Sequence, residues 1–162
     1  MKSLLVAALL CITATAFAQT NTLELLRQDL QTNKVAIVTA SIPLTDKQGE
    51  QFWPLYREYN TELSKLGDRR IAVLKKFAEN FDKIDGKQAE ELVKESISIQ
   101  NGRTNLLEKY YKKVSKVVGP VTAARFIQVE NQMLTLIDAQ IVSQVPLVKA
   151  PKDVVAEPVE KK

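Results

Sequence analysis

Apolar residues recur at alternating spacings of four and three along residues 44–81, which is the most regular pattern in the chain. One charged residue, Arg70, interrupts the stripe. Such spacing predicts a single long amphipathic helix, Leu44 to Phe81, with a coiled-coil-like seam. Pro54 lies inside this helix and predicts a kink near Glu50 to Pro54, because proline removes a backbone hydrogen bond. The members of the stripe are Phe52, Tyr56, Tyr59, Leu63, Leu66, Val73 and Phe77.

Three further helices are predicted on either side of the long one. The first covers Leu23 to Ala40 and ends before Pro43, since the residue before a proline avoids the α conformation. The third covers Lys87 to Val118 and follows a short turn, so it should form an antiparallel hairpin with the second. The fourth begins at Gly119-Pro120 and ends by Pro146. Its expected core face is Phe126, Val129, Met133, Leu136 and Gln140, widened by Ile127, Leu134, Ile137 and Ile141.

The predicted fold is therefore all-α, an elongated hairpin of two long helices with two shorter flanking helices. At about 1.5 Å per residue the long helix would measure on the order of 55 Å. Residues 19–148 should form one helical domain. Residues 149–162 are rich in charge and contain Pro151 and Pro158, which is typical of a disordered tail.

The first eighteen residues have the pattern of a secretory signal peptide. Lys2 precedes an apolar stretch that is too short to span a bilayer comfortably, and Ala16-Phe17-Ala18 matches a cleavage site between Ala18 and Gln19. A lipoprotein anchored through Cys11 is the rival interpretation, but Leu10 stands where a small residue is needed. We expect a periplasmic protein, with secretion as the alternative.

The composition leaves little room for catalysis or metal binding. The chain has no histidine, and its one cysteine falls in the predicted signal peptide, so thiol and Ser–His chemistry lack their groups. An all-oxygen metal site would rest on Asp82 and Asp85, which turn chemistry explains equally well. No glycine-rich phosphate loop is present. We expect no enzyme activity, no cofactor, no metal and no nucleic-acid partner; the net charge of +4 is mild.

Basic and aromatic side chains supply the candidate binding residues. Lys109, Lys112, Lys113 and Lys116 share one helix face, and a second basic group lies near Arg69. The simpler interpretations are a solvated surface for the basic residues and core packing for the aromatic ones. The functional interpretation is attraction of acidic, unfolded or lipid-bearing partners. The candidate polypeptide-binding residues are Trp53, Tyr56, Tyr59, Arg69, Arg70, Lys112 and Lys116.

The start of the long helix carries a recognisable motif. Leu44-Thr45-Asp46-Lys47-Gln48 fits a capping box between Thr45 and Gln48 with a leucine in front. In an exported helical chain this motif resembles the L-T-x-x-Q motif of the Spy/CpxP family, which typically occurs twice. A second copy would be Val121 to Arg125, with valine for leucine and arginine for glutamine. Glu50 to Tyr59 and Ala124 to Asn131 are also similar to segments of bacterial exported helical proteins with no assigned role.

The resemblance implies a cradle-shaped dimer of helical hairpins. It implies either an ATP-independent chaperone that binds unfolded polypeptides or a periplasmic brake on an envelope-stress sensor. The metal-binding members use histidine or cysteine, which the mature chain lacks, so that branch does not carry over. Two alternatives remain open: an adaptor that docks on one folded envelope protein, and a lipid or cell-wall binder that uses the basic faces.

Overall fold

The computed structural model describes residues 33–149. In this range four helices follow one another and no strand occurs. Helix α1 covers residues 33–41, α2 covers Asp46–Asn80, α3 covers Gly86–Val118 and α4 covers Pro120–Val142. The all-α prediction is confirmed, as are the two long helices with shorter flanking ones. The signal peptide, residues 23–32 of the predicted first helix and the tail beyond Lys149 lie outside the described residues.

Capping boxes start both long helices. The backbone N–H of Gln48 donates to the Thr45 hydroxyl at 3.3 Å, and the Thr45 N–H donates to the Gln48 side chain at 3.0 Å. Asp85 and Gln88 make the same reciprocal pair at the start of α3. Because these bonds satisfy N–H groups that a helix leaves unpaired, the two starting points are fixed by local sequence alone.

A single glycine separates α3 from α4. Gly119 has φ +83° and ψ 161°, a conformation that is essentially restricted to glycine, and Pro120 then opens α4. So short a connection returns α4 along α3, just as the turn after Asn80 returns α3 along α2.

The two long helices lie close together along the hairpin. A Cβ atom on Gly102 of α3 would come within 2.9 Å of the Leu66 side chain of α2. Helix α2 continues through Pro54 as one helix of 35 residues, which corresponds to a length of about 50 Å. The molecule therefore has the elongated hairpin that the apolar stripe predicts.

The core lies at one end of this hairpin, where all four helices meet. Val38 and Ile42 extend it from the α1 side, while α4 contributes a stripe that includes Ala123 and Phe126. Its buried members are Val38, Ile42, Phe52, Tyr56, Tyr59, Leu106, Tyr110, Val114, Val118, Ala123, Phe126 and Met133.

The predicted core face of α4 is wrong in part. Phe126 and Met133 are buried as expected, but Leu136 is 66% exposed and Gln140 is exposed as well. Glu130 takes a buried place instead, because its carboxylate has a partner in α1. The helix is rotated so that this carboxylate faces inward.

The opposite end of the hairpin is only two helices thick. Helix α4 ends at Val142, one turn beyond the level where Asp138 meets Arg103 of α3. We call residues 71–98 the distal hairpin. Leu92 is the one buried side chain in it. Residues 143–149 continue to the turn, where the Lys149 ammonium lies 5.1 Å from the centre of the Phe81 ring.

None of the helices within residues 33–149 combines the length and the apolar character that a bilayer span requires.

Candidate functional site

The aromatic residues proposed as a binding surface lie mostly inside the four-helix end. Phe52, Tyr56 and Tyr59 are buried, and each packs against the edge of Phe126 with ring centres 5.6–6.1 Å apart. Edge-to-face contacts of this kind stabilise a packed core. The structure therefore supports the simpler interpretation, core packing, for Tyr56 and Tyr59. Neither ring is accessible to a partner.

Trp53 behaves differently from its neighbours. It lies half-buried at the rim of the core, with its ring 5.1 Å from Phe52 and 5.7 Å from Tyr56. Trp53 and the fully buried Phe52 therefore lie in different surroundings, although they are neighbours in the helix. Trp53 is therefore the aromatic candidate that stays partly open to solvent.

A buried ion pair joins three helices beside these rings. The Lys34 ammonium of α1 donates to the Glu130 carboxylate of α4 at 2.8 Å and to the Asn60 side chain of α2 at 2.9 Å. The Lys34 side chain is 7% exposed and that of Glu130 is fully enclosed. The ammonium also lies 5.8 and 5.3 Å from the ring centres of Tyr56 and Tyr59.

Burial governs the protonation of this cluster. Desolvation lowers the pKa of Lys34, opposed by the charge and hydrogen bond of Glu130. Desolvation, followed by the negative charge of Glu130, raises the pKa of both Tyr56 and Tyr59. The two hydroxyl groups lie near Glu130 without reaching hydrogen-bond geometry. The cluster holds α1 against α2 and α4, and a shallow pocket lined by Lys34, Asn60, Thr61, Ser64 and Lys65 lies at its edge.

Sequence reasoning missed this cluster. Lys34 falls in the predicted first helix, but a single lysine gives no sign of burial. For Glu130 a signal exists, since it lies four residues after Phe126 and three before Met133, on the apolar side of α4. A carboxylate in the middle of such a stripe indicates a buried partner.

Arg70, the interruption in the apolar stripe, also has a specific partner. It pairs with Asp138 of α4, and the same carboxylate accepts from Arg103 of α3 at 3.0 Å. All three side chains are partly buried. The charged position in the stripe therefore lies beside the last turns of α4, beyond which this helix no longer packs on the hairpin.

The other basic candidates are mostly neutralised by neighbours. Arg69 donates to both carboxylate oxygens of Glu95, at 2.8 and 3.1 Å, and so connects α2 with α3. Lys112 pairs with Glu108 on its own helix. Lys116 lies exposed in the last turn of α3, where a cation interacts favourably with the helix dipole. These contacts agree with the solvated-surface interpretation.

The motif residues Leu44, Thr45 and Gln48 have a local structural role. Thr45 and Gln48 form the capping box, and Leu44 packs against the core in front of it. The proposed second copy differs: Gly119 is the N-cap of α4, no side chain caps that helix, and Val121 is 83% exposed. The second segment is therefore not a capping box.

Exposed apolar side chains identify the distal hairpin as the candidate binding surface. Val93 and Ile97 lie one turn apart on α3 and are 56% and 55% exposed. On the facing helix, the Phe77 and Phe81 rings contact each other edge to face at 5.5 Å while remaining half-buried. Two helices alone leave these residues partly open to solvent.

Within residues 33–149 there is no group of three or more histidine, cysteine, aspartate or glutamate side chains that could hold a metal ion.

Comparison of the chain with protein-family models, with curated proteins and with solved structures found no match.

Proposed function

We propose that this chain is an exported, non-enzymatic helical protein that binds partly unfolded polypeptide segments, and that it does so with the distal hairpin. The observation that supports this most is the pair Val93 and Ile97, more than half exposed on one face of α3. They lie where the molecule is too thin to bury its own apolar residues. The proposed binding surface is separate from the aromatic residues Phe52, Tyr56 and Tyr59, which are buried.

The ion pairs around these residues suit a weak and general binder. Arg69 with Glu95 and Lys76 with Glu91 connect the two helices at 2.8 Å. They are exposed, so they add little stability, but they place both charge signs beside the apolar side chains. A surface of this kind favours short apolar segments without demanding one charge pattern.

The test is suppression of aggregation of a chemically denatured client, followed by light scattering. The wild-type protein in molar excess should suppress aggregation, and Val93→Ser/Ile97→Ser should lose most of that effect. The matched control is Val35→Ser/Ile37→Ser, which changes a similarly exposed valine and isoleucine on α1. Equal suppression by both variants, or none by the wild type, would rule out the proposal.

The second candidate is an adaptor that docks on one folded envelope protein. The observation in its favour is that bonds between side chains of α2 and α3 hold the distal hairpin as one preformed face. Such an adaptor would form one saturable complex in envelope extracts and would ignore unfolded clients. Capture of a single partner that Val93→Ser/Ile97→Ser abolishes, together with unchanged client aggregation, would favour this candidate.

A further inference from the structure

The outward surface of α4 carries one exposed charged residue, Arg125. The helix contains three charged residues, and all of them bind other parts of the same chain. Arg125 donates to the backbone carbonyl of Ser41 at 2.5 Å, Glu130 pairs with Lys34, and Asp138 pairs with Arg70 and Arg103. Apart from Arg125, the exposed residues of α4 are all uncharged, in a chain with 26% charged residues.

Eight of the twelve exposed residues of α4 form one uncharged face along the helix. Their positions fall within an arc of about 100° on the side away from the core, and a shallow groove lies along the middle of the helix, between Ala124 and Leu136. We call this the α4 outer face. Its members are Val121, Ala124, Gln128, Asn131, Gln132, Thr135, Ala139 and Val142.

The residue types of the α4 outer face are arranged nearly symmetrically about the middle of the helix. Its midpoint lies between Asn131 and Gln132, two amide side chains. Gln128 and Thr135 are equally far from this midpoint. The next pair outward is Ala124 and Ala139, and the outermost pair is Val121 and Val142. Each pair matches in chemical character: amide with amide, hydrogen-bonding with hydrogen-bonding, small with small and apolar with apolar.

From this symmetry we propose that the α4 outer face binds the same face of a second copy of this chain, with the two helices antiparallel. An antiparallel pair brings residues equally far from the midpoint opposite each other. Val121 would then meet the partner's Val142, and Ala124 would meet the partner's Ala139. The alanines allow the helices to approach closely, and the amides can form hydrogen bonds across the centre.

The chemistry of the face favours a second copy over other occupants. A charged protein or an anionic lipid surface would find no complementary charge there. Two copies meet without like-charge repulsion. Burial of this face along a helix of 23 residues would remove on the order of 1,000 Å² from solvent in total, near the lower limit for specific interfaces.

The inference is independent of the proposed function. The α4 outer face shares no residue with the distal hairpin, so client binding and self-association can each fail without the other. A dimer joined through α4 would leave Val93 and Ile97 of both copies exposed.

Cysteine crosslinking tests the orientation. In a chain with Cys11→Ser, copies with Ala124→Cys and copies with Ala139→Cys should form a disulfide-linked dimer when they are mixed and mildly oxidised. Neither variant should crosslink alone, because identical positions lie about 22 Å apart in an antiparallel pair, beyond the reach of a disulfide. Efficient crosslinking of Ala124→Cys alone, or no crosslinking of the mixture, would overturn the proposal.

Sedimentation of the uncrosslinked protein tests the surface. Gln128→Lys places one charge on each copy within the interface and should raise the dimer dissociation constant by at least about tenfold. Gln140→Lys is the matched control, since it makes the same change at an exposed position of α4 outside the face. A monomeric wild type at high micromolar concentration, or equal effects of both substitutions, would overturn the proposal.

Discussion

At the scale of single residues, the part of the chain that the structure describes buries one lysine and one glutamate beside two tyrosine rings. Lys34 and Glu130 are 96 residues apart, and each would be costly to bury alone. Their 2.8 Å contact offsets that cost without exceeding it by much, because both groups lose their hydration. The pair is therefore better understood as a constraint on where α1 lies than as a source of stability.

This interpretation gives a prediction for Lys34→Met. Removal of the ammonium leaves the Glu130 carboxylate buried without a cation, so the free energy of unfolding should fall by about 3–5 kcal/mol. The double variant Lys34→Met/Glu130→Met, which removes both charges, should recover most of that loss. Urea unfolding followed by circular dichroism measures both. A double variant as unstable as the single one would contradict the argument.

At the scale of helices, the sequence predicts what depends on neighbouring residues in the chain. The starts of α2 and α3 were predictable because Thr45 with Gln48 and Asp85 with Gln88 satisfy backbone groups of their own helix. The starting proline of α4 was predictable for the same local reason. Each of these elements begins within about two residues of its prediction.

The rotation of α4 was not predictable in the same way. Helical periodicity offered a stripe with Leu136, yet the buried stripe contains Glu130, and Leu136 is exposed. The position of Glu130 within an apolar stripe indicates a buried partner, but the local pattern does not identify that partner as Lys34 of α1. The same limit applies to Arg70, whose partner Asp138 is 68 residues away.

Exposed ion pairs between α2 and α3 make the hairpin sensitive to acid. The Lys109 ammonium, followed by the Tyr110 hydroxyl, donates to Glu62 and lowers the pKa of this carboxyl below 4.5. Because the folded state then binds fewer protons than the unfolded chain, this contribution is present above about pH 4.5 and is lost as the pH falls through the folded pKa. Glu91 and Glu95 shift in the same direction, beside Lys76 and Arg69.

We therefore expect Glu62→Gln to change the acid part of the stability curve. The variant should be slightly less stable than the wild type at pH 7 and should lose less stability between pH 5 and pH 3, an interval set by ordinary carboxyl pKa values near 4. The control is Glu79→Gln on the same helix, an exposed glutamate with no ion pair among the described residues. Thermal unfolding at each pH measures the difference, and parallel curves for both variants would contradict the assignment.

At the scale of the whole molecule, elongation was predictable and the position of the core was not. A helix of 35 residues is longer than a compact domain of this size, so an uncovered end follows from length alone. The sequence left open whether the aromatic residues of α2 are core or exposed, with core packing as the simpler interpretation. The structure covers the aromatic stripe with α1 and α4 and leaves the aliphatic residues Val93 and Ile97 exposed at the other end. Which end is covered depends on the length and direction of α4, and these are properties of the assembled fold.

This division of the molecule predicts unequal local stability, measurable by native-state hydrogen exchange. The four-helix end contains nearly all buried side chains, including Tyr59, Tyr110 and Phe126, so its amides should exchange only through global unfolding. The distal hairpin buries Leu92 alone, its other apolar side chains are half-buried or exposed, and the ion pairs across it are exposed and contribute little. Its amides should therefore exchange through a partial opening of lower free energy. That opening would separate α2 from α3 beside Val93 and Ile97 and enlarge the apolar surface that the proposed function requires. Equal protection at both ends would show that the hairpin opens only as a unit, and the binding surface would then be limited to the side chains already exposed.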